Sequence, residues 1–187
     1  MMWRLGDEAA LAEAWRAARP FPHVVVDEAV VAPEALLGVL EEEPVERYVA
    51  DLYDFDATAP EPTTEAFRKV RARFAGAVAP VLARVTGKDV ARADMRAFAY
   101  RAGHYLLPHT DYQVELARQL AYAYYLPSPE PPVGGELDLF DEDQRVARVI
   151  EPRANRLVVF DVGETTLHQV REVLDGMRLS LAGWFYA

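Results

Sequence analysis

From Met95 to Tyr186 the sequence breaks into short β-branched and aromatic runs at regular spacing: Met95–Arg101, Leu120–Leu126, Glu136–Phe140, Arg145–Ile150, Arg156–Val162, His168–Val173 and Arg178–Tyr186. Turn formers separate them, in Pro127–Gly135 (PSPEPPVGG), Asp141–Gln144 and Leu174–Gly176. So many short strands bury their apolar faces only by rolling against one another, which predicts a jelly roll or barrel. The first half reads differently. Asp7–Arg19 places Leu11, Ala14, Trp15 and Ala18 at helical spacing, with Asp7 as N-cap and Pro20 as the stop. His23–Val26 is a short strand, and Pro33–Glu43 is a second helix. Thr63 or Thr64 caps a longer helical stretch to about Arg84, in which Pro80 predicts a kink or a break and Gly87 lies beyond the end. Arg47–Pro62 (RYVADLYDFDATAPEP) has no clean period and reads as a strand pair or a mobile loop.

The helices therefore pack outside a strand-built core, a mainly β arrangement with flanking helices (α+β). At 187 residues and 51% hydrophobic, the chain supports one buried core and is short for two ordinary domains, so residues 1–187 are expected to form a single domain. Thirty acidic residues against 20 basic ones give a formal charge of −10, which repels phosphate backbones and anionic membranes. Neither nucleic acid nor membrane is an expected partner. Cysteine is absent, which excludes disulfides, iron–sulfur clusters, thiolate zinc sites and cysteine nucleophiles. Any metal must be held by histidine and carboxylate. The N-terminal stretch lacks an apolar run flanked by basic residues, and the expectation is a soluble, cytoplasmic protein.

His109 and Asp111 stand two apart, so an extended strand would aim both side chains at one point. The pair alone is a common coincidence, since an exposed His–Asp contact has the same spacing. A third donor must come from a distant strand, and His168, which follows RLVVFDV and the turn GETT, is the candidate. Two histidines and one carboxylate leave coordination positions open, as suits non-haem Fe(II) with a chelating keto-acid. Arg178 and Ser180 share one strand face in RLSLAGWFY, and a bidentate arginine beside a hydroxyl suits a carboxylate. Without the triad, Arg178 would read as a surface arginine.

Together the segments AYRAGHYLLPHTD, AYYLP, GGELDLF, NRLVVFD, HQV and RLSLAGWFY resemble, in order and spacing, the catalytic core of the Fe(II)- and 2-oxoglutarate-dependent dioxygenases of the prolyl 4-hydroxylase type. The resemblance covers about Ala99 to Tyr186; PFPHVVVDEAV more loosely resembles the strand opening that family's N-terminal region. It implies a double-stranded β-helix core from about residue 91, preceded by a helical and extra-strand part. It also implies that His109, Asp111 and His168 bind Fe(II), and that Arg178 binds the distal carboxylate of 2-oxoglutarate, with the hydroxyl of Tyr125 on the same carboxylate. Ser180, Leu137, Tyr100 and Trp184 would lie around the cosubstrate and the metal; for the aromatics, core packing is the plain alternative. The implied reaction consumes O2, gives succinate and CO2, hydroxylates an unactivated C–H bond and uses ascorbate as reductant. The implied substrate is a prolyl or other amino-acid side chain in a peptide, protein or free amino acid, or else a natural-product intermediate. Retention of Asp111 favours hydroxylation over halogenation. A nucleic-acid demethylase is disfavoured by charge and by the lack of a second arginine on the last strand, and a non-catalytic metal-binding jelly roll by the intact triad with Arg178.

His23 and His104 read as structural, and Glu41–Glu43 as a solvated face. Asp51, Asp54 and Asp56 interleave with Tyr53 and Phe55, suggesting a substrate lid that prefers a cationic or peptide substrate.

Overall fold

The protein is described by a computed structural model covering residues 2–187. The strands that build the core are β1 (His23–Val26), β2 (Val45–Ala50), β3 (Tyr53–Thr58), β4 (Arg96–Arg101), β5 (Tyr105–His109), β6 (Arg118–Tyr125), β7 (Leu137–Phe140), β8 (Val146–Ile150), β9 (Leu157–Asp161), β10 (His168–Val170) and β11 (Met177–Tyr186). They follow one antiparallel path, β8-β7-β10-β5-β3-β4-β11-β6-β9-β1, with β2 beside β3. Three helices accompany them: α1 (Glu8–Ala17), α2 (Ala35–Leu40) and α3 (Glu65–Thr86).

Strand alternation divides the apolar side chains between two layers. On β6, Leu120, Tyr122 and Tyr124 point outward and pack with Phe67, Phe74, Val78 and Leu82 of α3 and Trp15 of α1. Ala121, Ala123 and Tyr125 of the same strand point inward, against Leu137, Leu139, Val158 and Phe160. The helices therefore cover the outside of the roll and leave its interior free for a site. Each large side chain buried this way contributes roughly 1.5–3 kcal/mol, so the α3 stripe alone is a major term.

Helix caps follow the sequence closely. Asp7 accepts from the Ala10 N–H at 2.8 Å, Thr64 accepts from the Phe67 N–H, and Gly87 ends α3 in the left-handed conformation at φ 72°.

Several expectations need correction. Of the kink or break expected at Pro80, the break does not occur: α3 runs through it. The hydrogen bond lost there is offset by Val78, Ala79, Leu82 and Val85, all buried on both sides of the proline. Glu43 is not on a solvated face: it is 5% exposed, and its carboxylate accepts from the Thr63 and Thr64 N–H groups at 3.1 and 2.7 Å. It thus closes the start of α3. The run His168–Val173 is split, because after Val170 the chain leaves the ladder and Val173–Asp175 pairs instead with Val133–Gly134. Of the two readings of Arg47–Pro62 the strand pair holds: β2 and β3 form a hairpin, and β3 also pairs with β4 and β5. β5 is the extended strand expected to carry both His109 and Asp111, but it ends at His109, so Asp111 lies in the loop that follows.

Candidate metal centre

His109 ends β5 and His168 begins β10, and the two are direct register partners. Their rings lie 4.3 Å apart between centroids. Asp111 stands two residues past the end of β5, where the Arg118 side chain donates to its backbone carbonyl at 3.1 Å and fixes the turn. One carboxylate oxygen is 3.4 Å from His168 Nε2 and the other 3.8 Å from His109 Nε2. Single donor atoms from all three residues fall within 4.8 Å of one another, close enough to share an ion.

The second nitrogen of each ring decides how the first is presented. His109 Nδ1 is 2.9 Å from the Leu107 carbonyl oxygen, and His168 Nδ1 is 3.0 Å from that of Thr166. Both Nδ1 atoms therefore donate, leaving Nε2 of both rings as lone-pair donors aimed at Asp111. Burial pushes the His109 pKa down, and the neighbouring His168 adds to the effect while Asp111 opposes it. For Asp111, burial alone would raise the carboxyl; the His168 ring beside it, with His109 and the Trp184 indole, outweighs burial and holds it at about 2. Near neutral pH the set is one carboxylate and a neutral His109 ring, the protonation a divalent cation requires.

A second polar cluster lies on β11 and its neighbours. Arg178 is 4% exposed, with its guanidinium carbon 4.8 Å from the Tyr100 ring and 4.9 Å from the Tyr125 ring. Arg178 Nε, the Tyr125 hydroxyl and the Ser180 hydroxyl are all buried with no hydrogen-bond partner among the described residues. Three such orphans in one place are costly unless a ligand completes them. The donor set fits a carboxylate. Burial pushes the Tyr100 phenol up to about 12 against the pull of Arg178, so it stays neutral beside the guanidinium. Gly135 backs this cluster at φ 72°; a Cβ there would meet Arg178 Cδ at 3.1 Å and Val173 Cγ2 at 2.9 Å.

Metal donors and polar cluster open onto one cavity of about 360 Å³. Its wall includes His109, Asp111, His168, Tyr100, Leu137, Arg178, Ser180 and Trp184, so the expected site residues converge, with Tyr125 reaching Arg178 from the inner layer. Tyr124 faces the opposite layer, as alternation requires. His23 is buried with Nδ1 2.9 Å from the Phe21 carbonyl, and His104 packs 3.6 Å from Asp54. Both stand outside the donor set.

Three cavity residues escaped the sequence reading. Arg118 stacks on Trp184 at 3.6 Å, Arg96 lines the cavity, and Asp94 accepts from the Trp184 backbone N–H and the Tyr186 hydroxyl. Each looks like an ordinary strand-end residue in the sequence. The acidic lid also needs correction. Asp54 pairs with Arg47 and Asp56 with Arg101, so two of its three carboxylates are already neutralised within the chain, while Tyr53 and Phe55 face the cavity. A preference for cationic substrates loses its basis.

The profile of the 2OG-Fe(II) oxygenase superfamily matches residues 95–186. Prolyl 3-hydroxylase OGFOD1 of Mus musculus is 34% identical over 185 residues, which cover 89% of this chain and 33% of the relative. The chain thus spans about a third of that relative's length. A Pseudomonas putida prolyl-4-hydroxylase structure superposes with a TM-score of 0.76 at 22% identity, covering 96% of this chain and 98% of that one. A Trichoplax adhaerens prolyl hydroxylase, solved with a hypoxia inducible factor peptide fragment, gives 0.74 at 14% identity, covering 96% and 90%. At these identities the two structures speak for the jelly-roll fold.

Proposed function

Because the chain belongs to the 2OG-Fe(II) oxygenase superfamily, we propose that it hydroxylates an unactivated C–H bond of a prolyl or other amino-acid side chain, in a peptide, a protein or a free amino acid, with residues 1–187 acting as one oxygenase domain. The observation that carries this reading is the pairing, in one cavity, of the His109–Asp111–His168 donors with a separate buried cluster of unpartnered carboxylate-binding groups. A metal site alone needs no such cluster; a chelating diacid does.

In this reading His109 Nε2, His168 Nε2 and one Asp111 oxygen hold Fe(II), while Arg178, Tyr125 and Ser180 hold the far carboxylate of 2-oxoglutarate. When bound, that pair supplies the oxidising power, O2 being split between succinate and the hydroxylated carbon as CO2 leaves. The rest is the work of this chain's side chains. Leu107 and Thr166 carbonyls orient the two imidazoles through Nδ1, Trp184 and Phe160 shield the donors from water, and the neutral Tyr100 phenol packs against the anchoring guanidinium. The substrate would enter from the side walled by Tyr53, Phe55 and Phe98, aromatic faces suited to a saturated ring. Incubation with Fe(II), 2-oxoglutarate, ascorbate and a panel of proline-containing peptides and free proline is expected to give succinate matched by a product heavier by one oxygen. Succinate at the level of His109→Ala throughout the panel would overturn the reading.

A further inference from the structure

The charges lining the cavity do not balance in a way that a neutral substrate explains. Arg96, Arg118 and Arg178 face it, against Asp94 and Asp111, and none of the three arginines pairs with a carboxylate of the chain among the described residues. A divalent iron and a 2-oxoglutarate dianion cancel each other, which leaves one positive charge over. That surplus is notable in a protein whose formal charge is −10.

Arg96 is where the surplus has no other use. Arg178 has the cosubstrate cluster, and Arg118 holds the Asp111 carbonyl and stacks on Trp184. Arg96 makes one hydrogen bond among the described residues, from Nε to the Thr58 carbonyl at 2.8 Å. Its Nη2 is buried without a partner, and its guanidinium lies over the Tyr48 and Phe98 rings at 4.7 and 5.3 Å. The aromatic faces and the Nε bond orient the fork without satisfying it. Arg96 is also remote from the cosubstrate anchor. On the β4–β11 ladder Tyr100 opposes Arg178 while Arg96 opposes Ala182, four residues or about 13 Å further along. The two guanidiniums sit on different aromatic rings, so they form two subsites.

We infer that Arg96 is an anion subsite of the substrate pocket and that the substrate carries a carboxylate. This rests on the oxygenase reading of the cavity and names the substrate class for it. The carboxylate comes either from the end of a chain or free amino acid, or from an acidic side chain beside the target residue; its chemistry at Arg96 is the same.

Anaerobic calorimetry on the full chain loaded with Mn(II) and 2-oxoglutarate tests this with four probes: acetyl-Ala-Pro as the free acid, its amide, acetyl-Ala-Pro-Asp-amide and acetyl-Ala-Pro-Asn-amide. One acid is expected to bind about tenfold more tightly than its neutral partner, a charge-assisted contact. Arg96→Gln should erase that preference, Arg96→Lys should keep part of it, and 2-oxoglutarate affinity should stay within about twofold in both. A preference confined to the first pair assigns the carboxylate to a chain end, and one confined to the second assigns it to a side chain. Equal binding of acid and neutral probes by the wild type, or a preference that survives in folded Arg96→Gln, overturns the subsite. Melting curves of both variants report folding. Succinate formation by the wild type without any probe tests the oxygenase reading separately, so failure of one is not mistaken for failure of the other.

Discussion

His109 and His168 oppose each other across one antiparallel strand pair, and each donates Nδ1–H to a carbonyl two residues back, so both Nε2 atoms are turned toward Asp111. The metal site is therefore built by backbone register, and its orientation is fixed before any ion arrives. Replacing His109 or Asp111 by Ala is expected to weaken Fe(II) or Mn(II) binding by about a hundredfold or more while leaving the fold intact. Calorimetric titration of the metal checks this; near-native affinity in either variant would contradict the donor set.

Gly135 supports the anchor from behind. An added methyl at φ 72° would press on Arg178 Cδ and Val173 Cγ2, so Gly135→Ala should displace the guanidinium. The expected result is a loss of about tenfold or more in 2-oxoglutarate affinity with metal affinity unchanged, a split that binding titrations of the two ligands resolve.

Acid sensitivity should trace in part to His23. Burial, with a further push from Arg148, lowers its pKa below the ordinary 6.5, partly opposed by the Phe21 carbonyl. Below 6.5 the unfolded chain takes up a proton that the folded one refuses. Stability from this residue is thus complete above that pH and is lost as pH falls through the lowered folded value. Melting temperatures of the metal-free protein from about pH 7 to about pH 5 should fall less steeply in His23→Leu than in the wild type. Equal slopes would contradict the assignment.

Much of this was legible in the sequence, for definite reasons. The seven runs after Met95 alternate, carry β-branched and aromatic residues and are punctuated by Pro, Gly and Asp, so local chemistry and global fold agree there. The triad and Arg178 were legible through the resemblance of several linked segments to one family, since the His109–Asp111 spacing alone is a common coincidence. The bounds of β5 were not, since Gly103 and Pro108 interrupt its pattern, and neither was the continuity of α3 through Pro80, which long-range burial decides. Glu43, Arg96 and Arg118 were misread or missed for one shared reason: what makes them special is a partner, or the lack of one, far away in the chain.

The role of Glu43 can be tested apart from the site. Its carboxylate meets two N–H groups at the start of α3, so Glu43→Ala is expected to cost about 1–2 kcal/mol of stability, read by denaturant unfolding, with metal affinity unaltered. A neutral substitution would mean that Thr64 caps the helix alone.

In the proposed function one cavity holds a metal on His109, Asp111 and His168 and a diacid on Arg178. This is tested most directly by anaerobic titration of the Fe(II)-loaded protein with 2-oxoglutarate, following the visible charge-transfer band of a chelated keto-acid. A saturable band is expected in the wild type, the same band in Arg178→Ala only at concentrations higher by roughly 2–5 kcal/mol of lost affinity, and none in Asp111→Ala. Iron binding with no band in the wild type, or equal 2-oxoglutarate affinity in Arg178→Ala, would contradict it.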